Sequence, residues 1–437
     1  MLNVLEQAIV AAKDCNWSLV NECLQQLPLG KKVTEGDAAS PPLEDGDLEQ
    51  VLNLALNVLD NGDFQQRWDV AKLFTKLGDR AIAPLIEILE DEDADLELRW
   101  FAGRILGEFN HPSVVTSLVE MLRTSEDEEL VEMATTTLAN LGSSAIDALT
   151  ALLTDSESRL LAVRSLSQIR HSYTVTPLLS VVNDEQMQVR VAAIEALSSF
   201  HDSRIGPVLI EALNDLAAPV RKEAAIALGL RTDLREELDL VNRLKPLLYD
   251  FNLEVCTAAA IALGRMGTNE AAAALFEVLK SPATPIPLQV ALVRALSWMG
   301  TADALEYLRP ALTMTQVEVC LEIVTLLGRM EKPDLRPKAA QILIDFLSSG
   351  QPTAHHTSVK QSLALALGQL ANTGAIDELI QMLADSDASV RLHAIAALKK
   401  LAPEDAHRQL QQLADTENLT PGLKQGVAIA LQEWQLT

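Results

Sequence analysis

The sequence predicts an all-α protein, an α-solenoid (superhelix) of about twelve helical-hairpin repeats. Two observations carry this prediction: a pattern that recurs at nearly constant spacing, and a shortage of aromatic side chains. Of the 437 residues, 48% are hydrophobic but only 4% are aromatic. Small and branched aliphatic side chains suit many thin layers of packed helices better than one thick core.

The recurring pattern has a basic residue, a small or apolar residue three positions later, and then Ala-Leu followed by Gly or Ser. Two copies are VRVAAIEALS around Arg190 and VRKEAAIALG around Arg221. Successive copies begin about 32 residues apart, which is the length of a helix–turn–helix unit. We call the basic position, or the residue that replaces it, the anchor. The twelve anchors are Arg67, Arg99, Val131, Arg159, Arg190, Arg221, Cys256, Gln289, Cys320, Lys360, Arg391 and Lys424.

Each unit is predicted to hold two helices. Apolar residues three, four and seven positions after the anchor mark one stripe of the first helix. A Gly or small polar residue at the eighth position is expected to end that helix or nearly end it. A second amphipathic segment follows, often with Pro in its first turn. The glycines at the eighth position are Gly107, Gly229, Gly264, Gly328 and Gly368.

An Asp stands six residues before several anchors, as in Asp184–Arg190 and Asp215–Arg221. Such an Asp is expected to cap the following helix. The Arg is expected to bind an Asp or carbonyl groups of a neighbouring repeat. We therefore interpret these residues as a structural ladder and not as a catalytic row.

Composition along the chain predicts three regions. Residues 1–30 form an N-terminal helical cap, residues 31–50 an acidic linker that contains Pro and Gly, and residues 51–437 the solenoid. The N-terminus lacks the basic region of a signal peptide, and no stretch approaches the roughly 18 apolar residues of a membrane span. The sequence therefore predicts a cytoplasmic protein without a membrane span.

The charge balance excludes two classes of partner. The formal net charge is −26, from 61 acidic and 35 basic side chains. Nucleic acids and anionic membranes are bound by Lys- and Arg-rich surfaces, so both are expected not to be partners. Residues 1–132 carry 27 of the acidic and 10 of the basic side chains. This excess either keeps the N-terminal region soluble or provides a docking surface for a basic partner.

The sequence contains no recognisable catalytic or metal-binding motif. The four cysteines include no CxxC pair, and the seven histidines are scattered apart from His355–His356 in a polar loop. That loop is expected to be solvated, with contact to a metal or a partner as the alternative. Cys256 and Cys320, both at anchor positions, are expected to pack in the core. We predict no catalytic residues and no metal ligands, and the prediction leans away from an enzyme.

Four residues are the candidates for binding a partner. Trp68 and Trp100 each follow an anchor directly, and stacked repeats would place both indoles on one ridge, joined by Phe101 and Arg104. Trp and Arg at surfaces are the usual binding hot spots. The alternative interpretation is that the two Trp residues fill the gap beneath the N-terminal helices.

The pattern of Asp, Val-Arg, Ala-Ala and Ala-Leu-Gly resembles HEAT repeats, and its short form is similar to the HEAT-like repeat of the phycobilisome (bilin) lyases. Segment 96–122 resembles an early, aromatic-rich repeat of these lyases, and the residues that match in kind are Arg99, Trp100, Phe101, Ala102, Leu106 and Gly107. Residues 103–105 (Gly-Arg-Ile) stand where those lyases carry a small residue and two Trp.

The resemblance implies a partner and a function. A solenoid offers a long binding surface and the sequence carries no catalytic set, so we predict a non-catalytic binding scaffold with no cofactor. The resemblance implies that its partners are phycobiliproteins or other photosynthetic proteins of a cyanobacterium, for which it would act as an assembly or chaperone factor. The alternative that it implies is a bilin lyase or lyase-isomerase. Such an enzyme would bind a linear tetrapyrrole and attach it to a phycobiliprotein cysteine.

Overall fold

The computed structural model describes residues 2–29, 43–416 and 418–435. In these ranges all regular structure is helical, with 26 α-helices and several short 3₁₀ turns. None of these helices combines the length and the apolar character needed to cross a membrane. The chain divides into two compact units, Met1–Ile205 and Gly206–Thr437.

The first thirteen helices are α1 Leu2–Lys13, α2 Trp17–Gln26, α3 Asp45–Asn61, α4 Phe64–Leu77, α5 Ile82–Glu90, α6 Leu96–Leu106, α7 Pro112–Thr124, α8 Glu128–Leu141, α9 Ile146–Leu152, α10 Arg159–Gln168, α11 Val175–Leu179, α12 Met187–Leu197 and α13 Ile205–Ala212. The first unit ends at the first residue of α13. Those that follow are α14 Ala218–Gly229, α15 Leu240–Leu244, α16 Leu253–Met266, α17 Asn269–Leu279, α18 Ile286–Met299, α19 Ala302–Met314, α20 Val317–Gly328, α21 Arg336–Leu347, α22 Thr357–Leu370, α23 Ile376–Gln381, α24 Ala388–Leu401, α25 Pro403–Ala414 and α26 Pro421–Gln435.

The helices of each unit pack in two layers. In the first unit the anchor-bearing helices α4, α6, α8, α10 and α12 pack side by side, and α5, α7 and α9 pack in a second row. In the second unit α14, α16, α18, α20, α22 and α24 form the anchor row, and α17, α19 and α21 the other. Leu, Ala, Val and Ile dominate the buried residues between the rows. The predicted α-solenoid is confirmed.

The glycines at the eighth position lie at or near the ends of their helices, as predicted, and they also have a second role. Gly264 and Gly368 lie two residues before the ends of α16 and α22, and Gly229 is the last residue of α14. A Cβ atom on Gly229 would lie 2.9 Å from Cα of Ala262 in the next anchor helix, and one on Gly264 would lie 3.0 Å from Cα of Ala295. These glycines therefore allow close approach of neighbouring helices.

The ladder of Asp and Arg exists, but its Asp does not cap the helix. The side chain of Asp215 accepts a hydrogen bond from N of Ala217, and that of Asp250 from N of Asn252, both before the helix begins. In α16 the cap is Asn252, whose side chain accepts from the backbone of the first turn. The Asp therefore shapes the loop as an Asx turn, and at Asp250 both carboxylate oxygens also accept from Arg221.

The N-terminal helices pack on the start of the solenoid. Helix α2 lies against α3 and α4, and Asn21 donates a hydrogen bond to the carbonyl of Gln66 at 3.0 Å. Helix α3 begins at Asp45, so residues 45–50 of the predicted linker are helical, and residues 30–42 lie outside the described ranges. The predicted division into cap, linker and solenoid stays a prediction.

Candidate functional site

Helices α4 and α6 present the candidate residues. Asp63 and Gln66 form a capping box at the start of α4, which fixes where this helix begins. The box places Phe64 and Trp68, four residues apart, on the same face of α4. Trp100, Phe101 and Arg104 come from α6, which packs beside α4. We call these five residues of α4 and α6 the aromatic ridge.

The rings of the ridge form one continuous cluster. Phe64 stacks on Trp68 with ring centroids 6.3 Å apart, and Phe101 makes edge-to-face contacts with both, at 5.5 and 6.4 Å. Trp100 meets Phe101 edge to face at 5.3 Å. Phe101 thus forms the buried base of the ridge, because it is the one ring of this cluster that is fully buried.

Arg104 lies between the two indoles. Its Cζ atom is 5.1 Å from the ring centroid of Trp68 and 5.6 Å from that of Trp100. Both contacts are cation–π interactions, which hold the guanidinium in place while leaving it exposed. The structure therefore brings all four sequence-predicted candidates together.

Sequence reasoning missed one member, Phe64. Its ring is 57% exposed, more than that of Trp68 at 36%. The signal that could have found it is its spacing of four residues from Trp68, which places the two rings on one helix face.

The alternative interpretation is that the Trp residues fill space beneath the N-terminal helices. Helix α2 reaches α4 through Gln66, which hydrogen-bonds Ser18 and Asn21. The ring contacts of Trp68 are with Phe64 of α4 and Phe101 of α6. Whether the exposed rings bind a partner stays a prediction.

Two grooves border the ridge. The first, of about 290 Å³, lies on the Trp68 side and has Ala71, Thr75 and Ile105 in its lining. The second, of about 620 Å³, lies between α6 and α8 on the Trp100 side. The two helices meet closely at the floor, since a Cβ on Gly103 or Gly107 would overlap Met133 or Thr137. Arg104 and Glu108 line both grooves.

Cys256 and Cys320 are buried, and His356 lies at the start of a helix. Burial raises the pKa of the thiols of Cys256 and Cys320, so both favour the protonated form. The Cys256 thiol donates to the carbonyl of Asp250 at 3.1 Å, as the anchor Arg residues do in other repeats. His356 is exposed and bonds Ser358 at the start of α22. In the described ranges no three His, Cys, Asp or Glu side chains converge as metal ligands would.

A second set of exposed apolar side chains lies in the C-terminal unit. Leu216 is 99% exposed and Phe251 fully so, each directly after an Asp of the ladder, and Tyr249 is 68% exposed. Arg221 links the two loops, because it binds the carbonyl of Leu216 and the carboxylate of Asp250. Their apolar type does not by itself reveal exposure, so these residues could not be predicted from the sequence.

A model of HEAT repeats matches residues 82–161, 154–229, 206–291 and 353–432, which together make up more than half of the chain. The chain belongs to the HEAT-repeat family. No curated protein is significantly similar to it in sequence.

Two solved structures share the fold at low identity. A Kap95:Nup1 complex matches with a TM-score of 0.52 at 15% identity, over 96% of this chain and 62% of that chain. Importin beta, crystallised in polyethylene glycol, matches with a TM-score of 0.51 at 14% identity, over 96% of this chain and 66% of that chain. The HEAT-repeat chain thus spans slightly less than two thirds of the length of both, and the likeness shows the fold alone.

Proposed function

We propose that this protein is a non-catalytic protein-binding scaffold whose partner contacts the aromatic ridge. The observation that carries the proposal is Arg104 held between the exposed indole of Trp68 and the half-buried indole of Trp100. Trp and Arg lose little further conformational freedom on binding when neighbours already hold them, which makes such clusters effective hot spots. A solenoid also offers an extended surface to a partner.

The proposed partner is a phycobiliprotein or another photosynthetic protein in the cytoplasm of a cyanobacterium. The support is the resemblance of segment 96–122 to the bilin lyases, which includes Trp100 and Phe101 of the ridge. The protein would then act in assembly of its partner or as a chaperone for it.

A bilin lyase or lyase-isomerase is the second candidate. Arg104 between two indoles is an arrangement that can hold a propionate of a linear tetrapyrrole beside its rings. The larger groove, however, also carries Glu108, Glu129 and Glu132, which would repel the propionates of a bilin. The charge of the groove therefore favours the scaffold.

A binding measurement distinguishes a ridge that binds a partner from a cluster of residues that only pack in the core. With purified phycobiliprotein subunits, or a partner captured from the native cell and then purified, we expect Trp68→Ala with Trp100→Ala to weaken binding at least about tenfold. Trp298→Ala is the matched control, because Trp298 is a 59% exposed indole on α18 of the other unit. A sharp fall in melting temperature with unchanged binding would show that the two indoles are core residues.

A pigment test addresses the second candidate. The protein is co-expressed with a bilin-producing pathway, purified and examined for visible absorbance, and then mixed with an apo phycobiliprotein. Bound pigment together with its transfer to the acceptor cysteine would support a lyase. No pigment and no transfer would exclude that function and leave the scaffold.

A further inference from the structure

We infer that the partner reaches the ridge with a basic segment and places an Arg or Lys side chain in the groove between α6 and α8. This inference rests on the proposed function, because the groove begins at Trp100 and Arg104 of the ridge. The groove measures about 620 Å³, which is ample for one long side chain and the backbone that carries it.

The walls of the groove combine acidic and aromatic groups. Glu129 and Glu132 come from α8 and Glu108 from the end of α6, and all three side chains are exposed. None of them belongs to an ion pair within the described part of the chain. By contrast, Glu120 of the same region is paired with Arg123. The carboxylates of the groove are therefore available to a cation from outside the chain.

The positive charge in the groove does not balance these carboxylates. Arg104 is the one basic residue in its lining, and it lies over the faces of the two indoles. Three carboxylates and one guanidinium leave the groove negative, as is the surrounding region 1–132. An anionic ligand would be repelled, whereas a basic side chain would be attracted and oriented.

Trp100 supplies the second part of the recognition. The stem of an Arg or Lys can lie along an indole while its cationic head reaches the carboxylates. Thr136 and Asn140, exposed in the same lining, can hydrogen-bond the backbone of a bound segment. The smaller groove beside Trp68, with Ala71 and Ile105, suits an apolar side chain of that segment.

The test uses defined peptides and the full-length protein. The probe is a fluorescein-labelled peptide in which Arg residues alternate with apolar residues, and it is compared with peptides in which each Arg is replaced by citrulline or by Glu. Fluorescence anisotropy at increasing NaCl measures binding. We expect the Arg peptide to bind at least about tenfold more tightly than both others, with a preference that shrinks as salt rises.

The variant Glu129→Gln with Glu132→Gln removes two charges without changing side-chain shape. We expect it to weaken binding of the Arg peptide about five- to tenfold. Glu87→Gln with Glu92→Gln is the matched control. These substitutions remove the same charge, and both residues are exposed and lie outside the groove. Unchanged binding in the groove variant, or equal binding of the Glu peptide, would overturn the inference.

The two proposals fail in different ways. Trp68→Ala with Trp100→Ala could abolish binding of the purified native partner while the Glu129 and Glu132 substitutions leave that binding unchanged. In that case the ridge is the binding surface, and the inference of a basic segment is wrong. If the Trp substitutions leave binding of the native partner unchanged, the proposed function is wrong, whichever peptide binds the groove more tightly.

Discussion

Arg221 binds both carboxylate oxygens of Asp250, from Nε at 2.7 Å and from Nη2 at 2.8 Å. Its remaining Nη1 donates to the carbonyls of Asp215 and Leu216, at 2.8 and 3.1 Å. One guanidinium therefore joins the loops of two consecutive repeats. Lys360 makes the same connection to Asp385 at 2.5 Å.

We expect Arg221→Leu to lower the free energy of unfolding by about 2–3 kcal/mol, because it leaves a carboxylate and two carbonyls of partly buried loops without their donor. The Arg221 and Asp250 side chains are only 17% and 10% exposed. Urea unfolding measures the change. Lys222→Gln is the control, since the Lys222–Glu254 pair beside it is far more exposed and should cost at most about 0.5 kcal/mol. Equal costs for the two variants would contradict the structural role of the ladder.

The same pair gives stability a dependence on pH. Hydrogen bonding from Arg221 lowers the pKa of Asp250 by more than burial raises it. A carboxyl whose pKa is lower in the folded state stabilises the fold fully above its unfolded pKa, about 3.9, and loses that contribution as pH falls through the folded value. We therefore expect the stability difference between the native chain and Asp250→Asn to shrink below about pH 4. Urea midpoints of both proteins at pH 7, 5, 4, 3 and 2.5 measure it, and a constant difference would refute it.

Phe101 and Trp68 should respond differently to truncation. Phe101 is 1% exposed beneath the ridge, so Phe101→Ala removes core contacts and should cost about 3–4 kcal/mol. Trp68→Ala should cost about 1 kcal/mol, because the indole is already 36% exposed. Thermal or urea unfolding of both variants tests the order. If Trp68→Ala cost more stability than Phe101→Ala, the exposed indole and not the buried ring would stabilise the ridge.

Two glycines should respond to Ala in opposite directions. A Cβ on Gly328 would lie 2.5 Å from Cβ and 2.8 Å from Cα of Ala366 in α22, so Gly328→Ala should destabilise the protein by about 1–3 kcal/mol. Gly46 lies in α3 with open space around its Cα, so Gly46→Ala should stabilise by about 0.5 kcal/mol. Circular dichroism melts of both variants measure this. A neutral Gly328→Ala would show that neighbouring anchor helices can move apart at little cost.

The repeat could be predicted from the sequence because every unit must satisfy the same local requirements. Anchors such as Arg221 and Cys256 recur since each donates to the carbonyl six residues earlier, which is a contact within one unit. Two features could not be predicted from local rules. Such rules assign Asp215 to a helix cap, whereas its side chain accepts from N of Ala217 before the helix begins, and the close approach at Gly264 depends on Ala295 of the next anchor helix.

The sequence by itself determined the helical hairpin, its period and the region that holds Trp68, Trp100 and Arg104. These follow from spacing along the chain, which hydrophobic periodicity reports directly. Only the tertiary structure decided that Phe101 is buried while Trp68 is exposed and Trp100 half-buried, that Arg104 lies between the two indoles, and that a carboxylate-lined groove opens beside Trp100. Exposure and charge partners depend on the neighbouring helix, whose position against α6 is set by packing at Gly103 and Gly107.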